Sequence, residues 1–141
     1  MRLNIISESD RRIPRKKIVR LIELIDEEEE PPGSTVNIIF TRDRKIASLN
    51  RKYRGRAGAT DVLSFNIDDS DGPDAILGEI YISTDTAQKN LKTFGGTIQT
   101  EILRLCCHGM PHLLGYDHGK QKDREIMQKR EEYFLEKLNR C

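Results

Sequence analysis

The three histidines of this 141-residue chain all fall within eleven consecutive positions, His108-Gly109-Met110-Pro111-His112-Leu113-Leu114-Gly115-Tyr116-Asp117-His118. On a helix, His108 and His112 stand one turn apart and project from one face, where two imidazoles can share a metal ion. Gly115 gives the chain an easy left-handed exit from that helix, and the turn after it brings His118 back toward the first pair. Three neutral nitrogen donors with a fourth position open are the layout of a catalytic zinc site rather than a structural one. An ion held this way lowers the pKa of a bound water and polarises a phosphoryl oxygen. Zinc is the expected ion, one per chain, and other divalent transition metals accept the same three imidazoles.

The spacing also matches the H-x-x-x-H-x-x-G-x-x-H array of the metzincin proteases. Those enzymes carry their general base, a glutamate, directly after the first histidine; here that position is Gly109. A peptidase would lose one of its main catalytic contributions, while a glycine leaves room near the ion for a bulky polynucleotide backbone. A purely structural metal would need a fourth protein ligand, which Asp117 or a cysteine could supply. Asp117 is also a candidate general base, or a group that holds a ligand imidazole from behind. Cys107 lies about 100° around the helix from His108, and neither Cys106 nor Cys107 forms a C-x-x-C, so both read as buried packing residues. Pro111 removes one helical hydrogen bond between the two ligands, and a kink is expected there.

A second concentration of chemistry lies at 42–56, where seven cations (Arg42, Arg44, Lys45, Arg51, Lys52, Arg54, Arg56) face Asp43 alone. The whole chain has 24 basic and 23 acidic residues, so a polycation that coats nucleic acid through bulk charge is excluded, although a local anion-binding face is not. The competing reading is a solvated helix face balanced by the acidic run at 26–30.

These groups need elements to hold them. Apolar or β-branched runs predict strands at 2–7, 35–41, 60–67 and 77–83. Helical spacing of Ile18, Leu21, Ile22 and Ile25 predicts a helix from Pro14 that dissolves in the acidic run and stops at Pro31-Pro32-Gly33. Asp43 is the expected cap of a short helix bearing Ile46, Leu49 and Tyr53, and Thr84 the expected cap of the next. Gly95-Gly96 separates that helix from a long one over 97–114, the carrier of His108 and His112. An acidic, turn-rich connection is expected at 68–74, and a charged helix at 121–139 anchored by Ile126, Tyr133, Leu135 and Leu138. With no repeat and no linker, the expectation is one α+β domain spanning 1–141: a small four-stranded sheet against four to five helices. No run of about 18 apolar residues suggests a membrane span. The absence of an N-terminal apolar core argues against a secretory signal, and an odd count of 3 cysteines suggests a reduced, cytoplasmic protein.

Taken together, Leu49-Asn50-x-x-Tyr53-Arg54-Gly55, Thr60-Asp61-Val62-Leu63-Ser64-Phe65, Leu77-Gly78-Glu79-Ile80-Tyr81-Ile82-Ser83 and the histidine block resemble the YbeY family. That is a bacterial family of metal-dependent, single-strand-specific endoribonucleases of ribosomal RNA maturation. The resemblance covers nearly the whole chain in order. It implies a mixed sheet, a metzincin-like metal helix, and His108, His112 and His118 as ligands, with His108 at the catalytic centre. It also makes Arg54 the functional arginine, suited to a bidentate phosphate contact; the charge of the 42–56 segment adds Arg51 and Arg56 as expected contacts to the substrate. The implied task is processing of the 16S ribosomal RNA 3′ end in ribosome biogenesis, with ribosomal RNA, and possible ribosomal proteins, as partners. The alternatives from other classes are a metallopeptidase and a non-catalytic assembly factor that uses a metal for folding.

Overall fold

The computed structural model describes residues 1–29, 35–67, 76–114, 116 and 119–140. The elements run β1 (Arg2–Ser7), α1 (Arg15–Glu29), β2 (Thr35–Thr41), α2 (Asp43–Arg54), β3 (Val62–Asn66), β4 (Ile76–Ser83), α3 (Thr84–Phe94), α4 (Ile98–Leu113) and α5 (Gln121–Asn139). The four strands form one sheet in the order β1-β2-β4-β3. β1, β2 and β4 are parallel, and β3 closes one edge antiparallel to β4. The result is an α+β domain, as expected.

Alternation along the strands decides what each sheet face meets. Val36, Ile38 and Phe40 of β2 lie level with Gly78, Ile80 and Ile82 of β4. All but Gly78 join the core cluster with Ile18, Leu21 and Ile25 of α1 and Ile102, Leu105 and Met110 of α4. α5 seals the outside of the two helices with Phe134 and Leu138. Tyr133, expected as an anchor, lies instead at the rim. Its hydroxyl donates to Glu28 at 2.6 Å, with Arg130 and Lys137 over its ring. Met127 and Phe134 take the buried stripe.

The acidic run does not end α1, which stays helical to Glu29. Its charges are met by the N-terminal ammonium on Asp26 and by Arg130 and Lys137 of α5 on Glu28 and Glu29. Among the described residues, these acids are therefore not what balances the basic segment. The Pro31-Pro32-Gly33 stop and the connection at 68–74 lie outside the described residues.

Two expected caps are displaced by one residue. Arg42, not Asp43, is the N-cap of α2, and Ser83, not Thr84, caps α3 by accepting the Thr86 N–H at 3.2 Å. The two helix starts instead brace each other. The Asp43 carboxylate accepts from Ser83, Thr86 and Lys89 at 2.5–2.9 Å, while Asp85 accepts the Asp43 N–H and the Arg42 guanidinium. Burial pushes the Asp43 carboxyl up, but the three hydrogen bonds outweigh it and hold the group below the ordinary 3.8. A carboxyl depressed by folding contributes stability that is present above its unfolded pKa and is lost as pH falls through the folded value. Asp43→Asn is therefore expected to cost about 1–3 kcal/mol near neutrality. It should also make urea-unfolding stability fall less steeply below pH ~4 than in the native chain.

Candidate active site

Thr97 starts α4 with a reciprocal capping box to Thr100, so the helix that bears the histidines has a fixed origin. Its last turns are drawn down onto the sheet. A Cβ at Gly109 would lie 2.8 Å from Ile80 Cγ2, 3.1 Å from Ser64 Oγ and 3.3 Å from Val62 Cγ2. A Cβ at Gly78 on β4 would run into Leu113 and the Phe65 carbonyl. Two glycines, one on each element, thus permit the approach. Ser64 Oγ donates to the Gly109 carbonyl at 2.9 Å, and Asn66 Nδ2 donates to the His112 carbonyl at 3.2 Å. The expectation that Gly109 opens space for substrate is corrected: its missing side chain is space taken by the sheet.

The helix is continuous through Pro111 to Leu113. The Leu114 and Tyr116 N–H groups then bond back to the Met110 and Pro111 carbonyls at 3.1 Å. His108 and His112 occupy successive turns of this segment. Gly115, Asp117 and His118 lie outside the described residues, which contain no assembled group of three His, Cys, Asp or Glu side chains able to hold a metal.

What fixes His108 is a residue that local spacing does not reveal. Glu131 of α5, only 15% exposed, holds His108 Nδ1 at 3.2 Å. An ionised carboxylate can only accept, so Nδ1 carries the proton and the lone pair of the neutral ring sits on Nε2. Behind Glu131, Arg104 lies 3.9 Å away and makes a two-pronged contact with buried Glu101 at 2.8 Å on each prong. Asn90 Nδ2 ties Glu101 and Asp61 together at 2.8 and 3.2 Å. The Glu131 bond raises the His108 pKa against the opposing effect of burial, with the charges of Glu131 and Asp61 also raising it and that of Arg104 lowering it. A cleft of about 360 Å³ opens beside His108 between α4 and α5, bordered by Arg104, Arg124, Gln128 and Glu131.

These features fit a divalent metal. A carboxylate that orders the proton on one ring nitrogen and leaves the other as the donor is the usual support of a metal-binding histidine. His112, one turn on, presents a second imidazole on the same helix face. Cys106 and Cys107 do not belong to such a set. They are buried among apolar side chains, and desolvation pushes both thiols far up, away from the thiolate that binds metals.

Arg54 is the last residue of α2 and is exposed, as are Arg51 and Arg56. Gly55, at φ 65°, ends the helix in a left-handed conformation, and Asn50 Nδ2 binds the Gly58 carbonyl at 3.0 Å to fold the following loop back. Arg42, Asp43 and Lys45 at the start of the basic segment are engaged with Asp85, Lys89 and Glu8. By contrast, Arg44, Arg51, Arg54 and Arg56 make no ion pair among the described residues. Among the described residues, the basic segment is thus ion-paired at Arg42, Asp43 and Lys45 and carries no acidic partner at Arg51, Arg54 and Arg56. Its end and the histidine helix flank the edge strand β3. Phe65 touches Tyr53 next to Arg54, while Asn66, the following residue, holds the carbonyl of His112.

Comparison with known proteins shows the family and the fold. The model of the family described as endoribonuclease YbeY matches residues 4–139. A Desulforamulus reducens protein named endoribonuclease YbeY is 37% identical over 87% of this chain and 88% of its own. One of the same name from Aquifex aeolicus is 36% identical over 93% and 88%. The solution structure of a Thermotoga maritima protein superposes with a TM-score of 0.64 at 29% identity, covering 96% of this chain and 88% of that one. The chain belongs to the endoribonuclease YbeY family, whose members are hydrolases acting on RNA.

Proposed function

We propose that this chain is a cytoplasmic, metal-dependent endoribonuclease that cuts single-stranded RNA in ribosome biogenesis, at the 3′ end of 16S ribosomal RNA. The observation that carries the reading is the His108–Glu131 pair, with His112 one turn on, on the helix that flanks the same edge strand as a run of exposed arginines. His108, His112 and His118 would hold one zinc or other divalent ion, which would supply Lewis acidity toward a phosphoryl oxygen. The chain's own residues supply the remainder. Glu131 keeps the proton on His108 Nδ1, Arg54 offers a planar fork to a phosphate, and Arg51 and Arg56 extend the cationic path. Ribosomal RNA, with ribosomal proteins beside it, is the expected partner. A peptidase reading gains nothing from the structure, since Gly109 leaves no room for the glutamate that such chemistry requires.

The test compares cleavage of a single-stranded and a duplex RNA by native, chelator-treated, metal-reloaded, His112→Ala and Arg54→Ala protein. Only the single strand should be cut. Chelation and His112→Ala should each abolish cutting, and reloading should restore the chelated protein. Arg54→Ala should lower the rate about 100-fold with an unchanged thermal midpoint, because the side chain is exposed. Lys at that position should recover only part of the rate, since an ammonium lacks the fork. Cleavage that survives both chelation and His112→Ala would overturn the proposal.

A further inference from the structure

Ile46, Asn50 and Tyr53, spaced four and three residues apart, share one face of α2. Ile46 and Asn50 are buried at 0% and 6% exposure, but Tyr53 overhangs the sheet edge and is 58% exposed. It is nevertheless fixed in place. Its ring meets Phe65 edge-on at 5.4 Å, Phe65 meets Tyr81 at 5.9 Å, and the Tyr81 hydroxyl donates to Glu79 at 3.3 Å. The other exposed aromatics have different surroundings. Phe94 lies under the Arg104 guanidinium at 4.9 Å, and Tyr133 is bound to Glu28. Tyr53 lies within Arg51, Lys52, Arg54 and Arg56, a stretch with no acidic residue, where Lys52 Nζ rests 5.2 Å from its ring centre.

A held aromatic ring among cations that have no acid partner among the described residues suits one ligand chemistry, a nucleobase joined to phosphates. Every base has a π-face to stack, and the neighbouring arginines meet the backbone. A base inside a duplex has no free face, so the ligand is a single strand. We propose that Tyr53 is the stacking platform for one base of the bound RNA strand, with Arg51, Arg54 and Arg56 on the adjoining phosphates. Lys52, on a flexible stem, holds the ring until the base displaces it. Because Phe65 supports the platform and the next residue holds the His112 carbonyl, a strand crossing the edge of β3 meets the platform and the histidine helix in turn. This rests on the reading of the chain as an enzyme of single-stranded RNA and adds how that strand is positioned.

The chain has no tryptophan, so Tyr53→Trp introduces a single indole whose emission reports stacking. The probes are a short 2′-O-methyl oligoadenylate, chosen against turnover, and an abasic strand with the same number of phosphates. Tyr53→Trp should bind the oligoadenylate at least as well as the native chain, and the base-bearing strand should quench its emission far more than the abasic one. Tyr53→Leu and Tyr53→Ala should weaken oligoadenylate binding roughly 5- to 100-fold and leave abasic binding unchanged. Their salt dependence should match the native chain's, whereas the Arg51, Arg54, Arg56 triple alanine variant should flatten it by up to about two log units per log salt. Native-like oligoadenylate binding by Tyr53→Leu, or an indole blind to the bases, would overturn the platform and leave the RNA reading standing. A native chain that binds neither strand would overturn both.

Discussion

Gly109→Glu, which writes the protease glutamate into the histidine motif, is expected to damage the fold instead of creating a peptidase. Position 109 faces the sheet: the first side-chain atom would sit 2.8 Å from Ile80 Cγ2 and 3.1 Å from Ser64 Oγ. Ile80 is a fully buried β-branched residue on a paired strand, so neither its rotamer nor its backbone gives way at little cost. Overpacking alone costs about 1–3 kcal/mol, and a carboxylate forced into the same space adds a desolvation penalty of several more unless it stays protonated. Together they should lower stability by at least about 3 kcal/mol and the thermal midpoint by roughly 10 °C or more. Gly109→Ala separates the two effects. It brings the collision without the charge and gains about 1 kcal/mol of helix propensity, so its loss should be much smaller. A Gly109→Glu protein that melts with the native chain, or that cleaves a peptide library, would show that this helix does not approach the sheet as closely as the structure has it.

The order of strands and helices was legible because its signals are local. Ile18, Leu21, Ile22 and Ile25 repeat at helical spacing, Gly95-Gly96 interrupts the chain between α3 and α4, and Thr35–Thr41 is rich in β-branched residues. The misses share a cause, which is dependence on a partner distant in sequence. Asp43 looks like a cap by residue type, yet Ser83, Thr86 and Lys89 claim its carboxylate. The 26–29 acids look like a helix end, yet Arg130 and Lys137, about a hundred residues away, make them compatible with a helix. In α5 both Ile126 with Tyr133 and Met127 with Phe134 are spaced seven apart. Only the packing on α1 and α4 selects the second pair, and the polar tip of Tyr133 keeps it at the rim. The same limit applies to the site. His108 and His112 announce themselves by spacing, but Glu131 is one acid among many on a charged helix until α5 lies against α4. Gly109 stands out in the sequence for the chemistry it lacks, while its physical role is contact with the sheet.

Glu131→Gln is expected to weaken metal binding about 10- to 100-fold at pH 8 while the fold persists. The glutamine carbonyl can still accept the His108 Nδ1–H, so ring orientation is largely kept, and the charge that makes Nε2 a stronger donor is lost. Proton competition works against this effect and gives the prediction a pH signature. In the metal-free native protein the Glu131 bond holds the His108 pKa above its ordinary 6.5. An imidazole raised by folding contributes stability that is complete below its unfolded pKa and is lost as pH rises through the folded value. Glu131→Gln should therefore bring the His108 titration, followed by NMR among three histidines, down toward the ordinary value, and should remove that pH dependence of stability. An ion must displace the proton from the ring. At pH 6 the native His108 is mostly protonated and pays for that displacement, whereas the variant pays less. The gap in affinity between native chain and variant should accordingly be wide at pH 8 and narrow at pH 6, as read by competition with a chromophoric zinc chelator. A Glu131→Ala control loses the acceptor as well and should fall below Glu131→Gln at both pH values. Equal zinc affinity for native chain and Glu131→Gln at pH 8 would reduce the Glu131 contact to an ordinary helix–helix hydrogen bond.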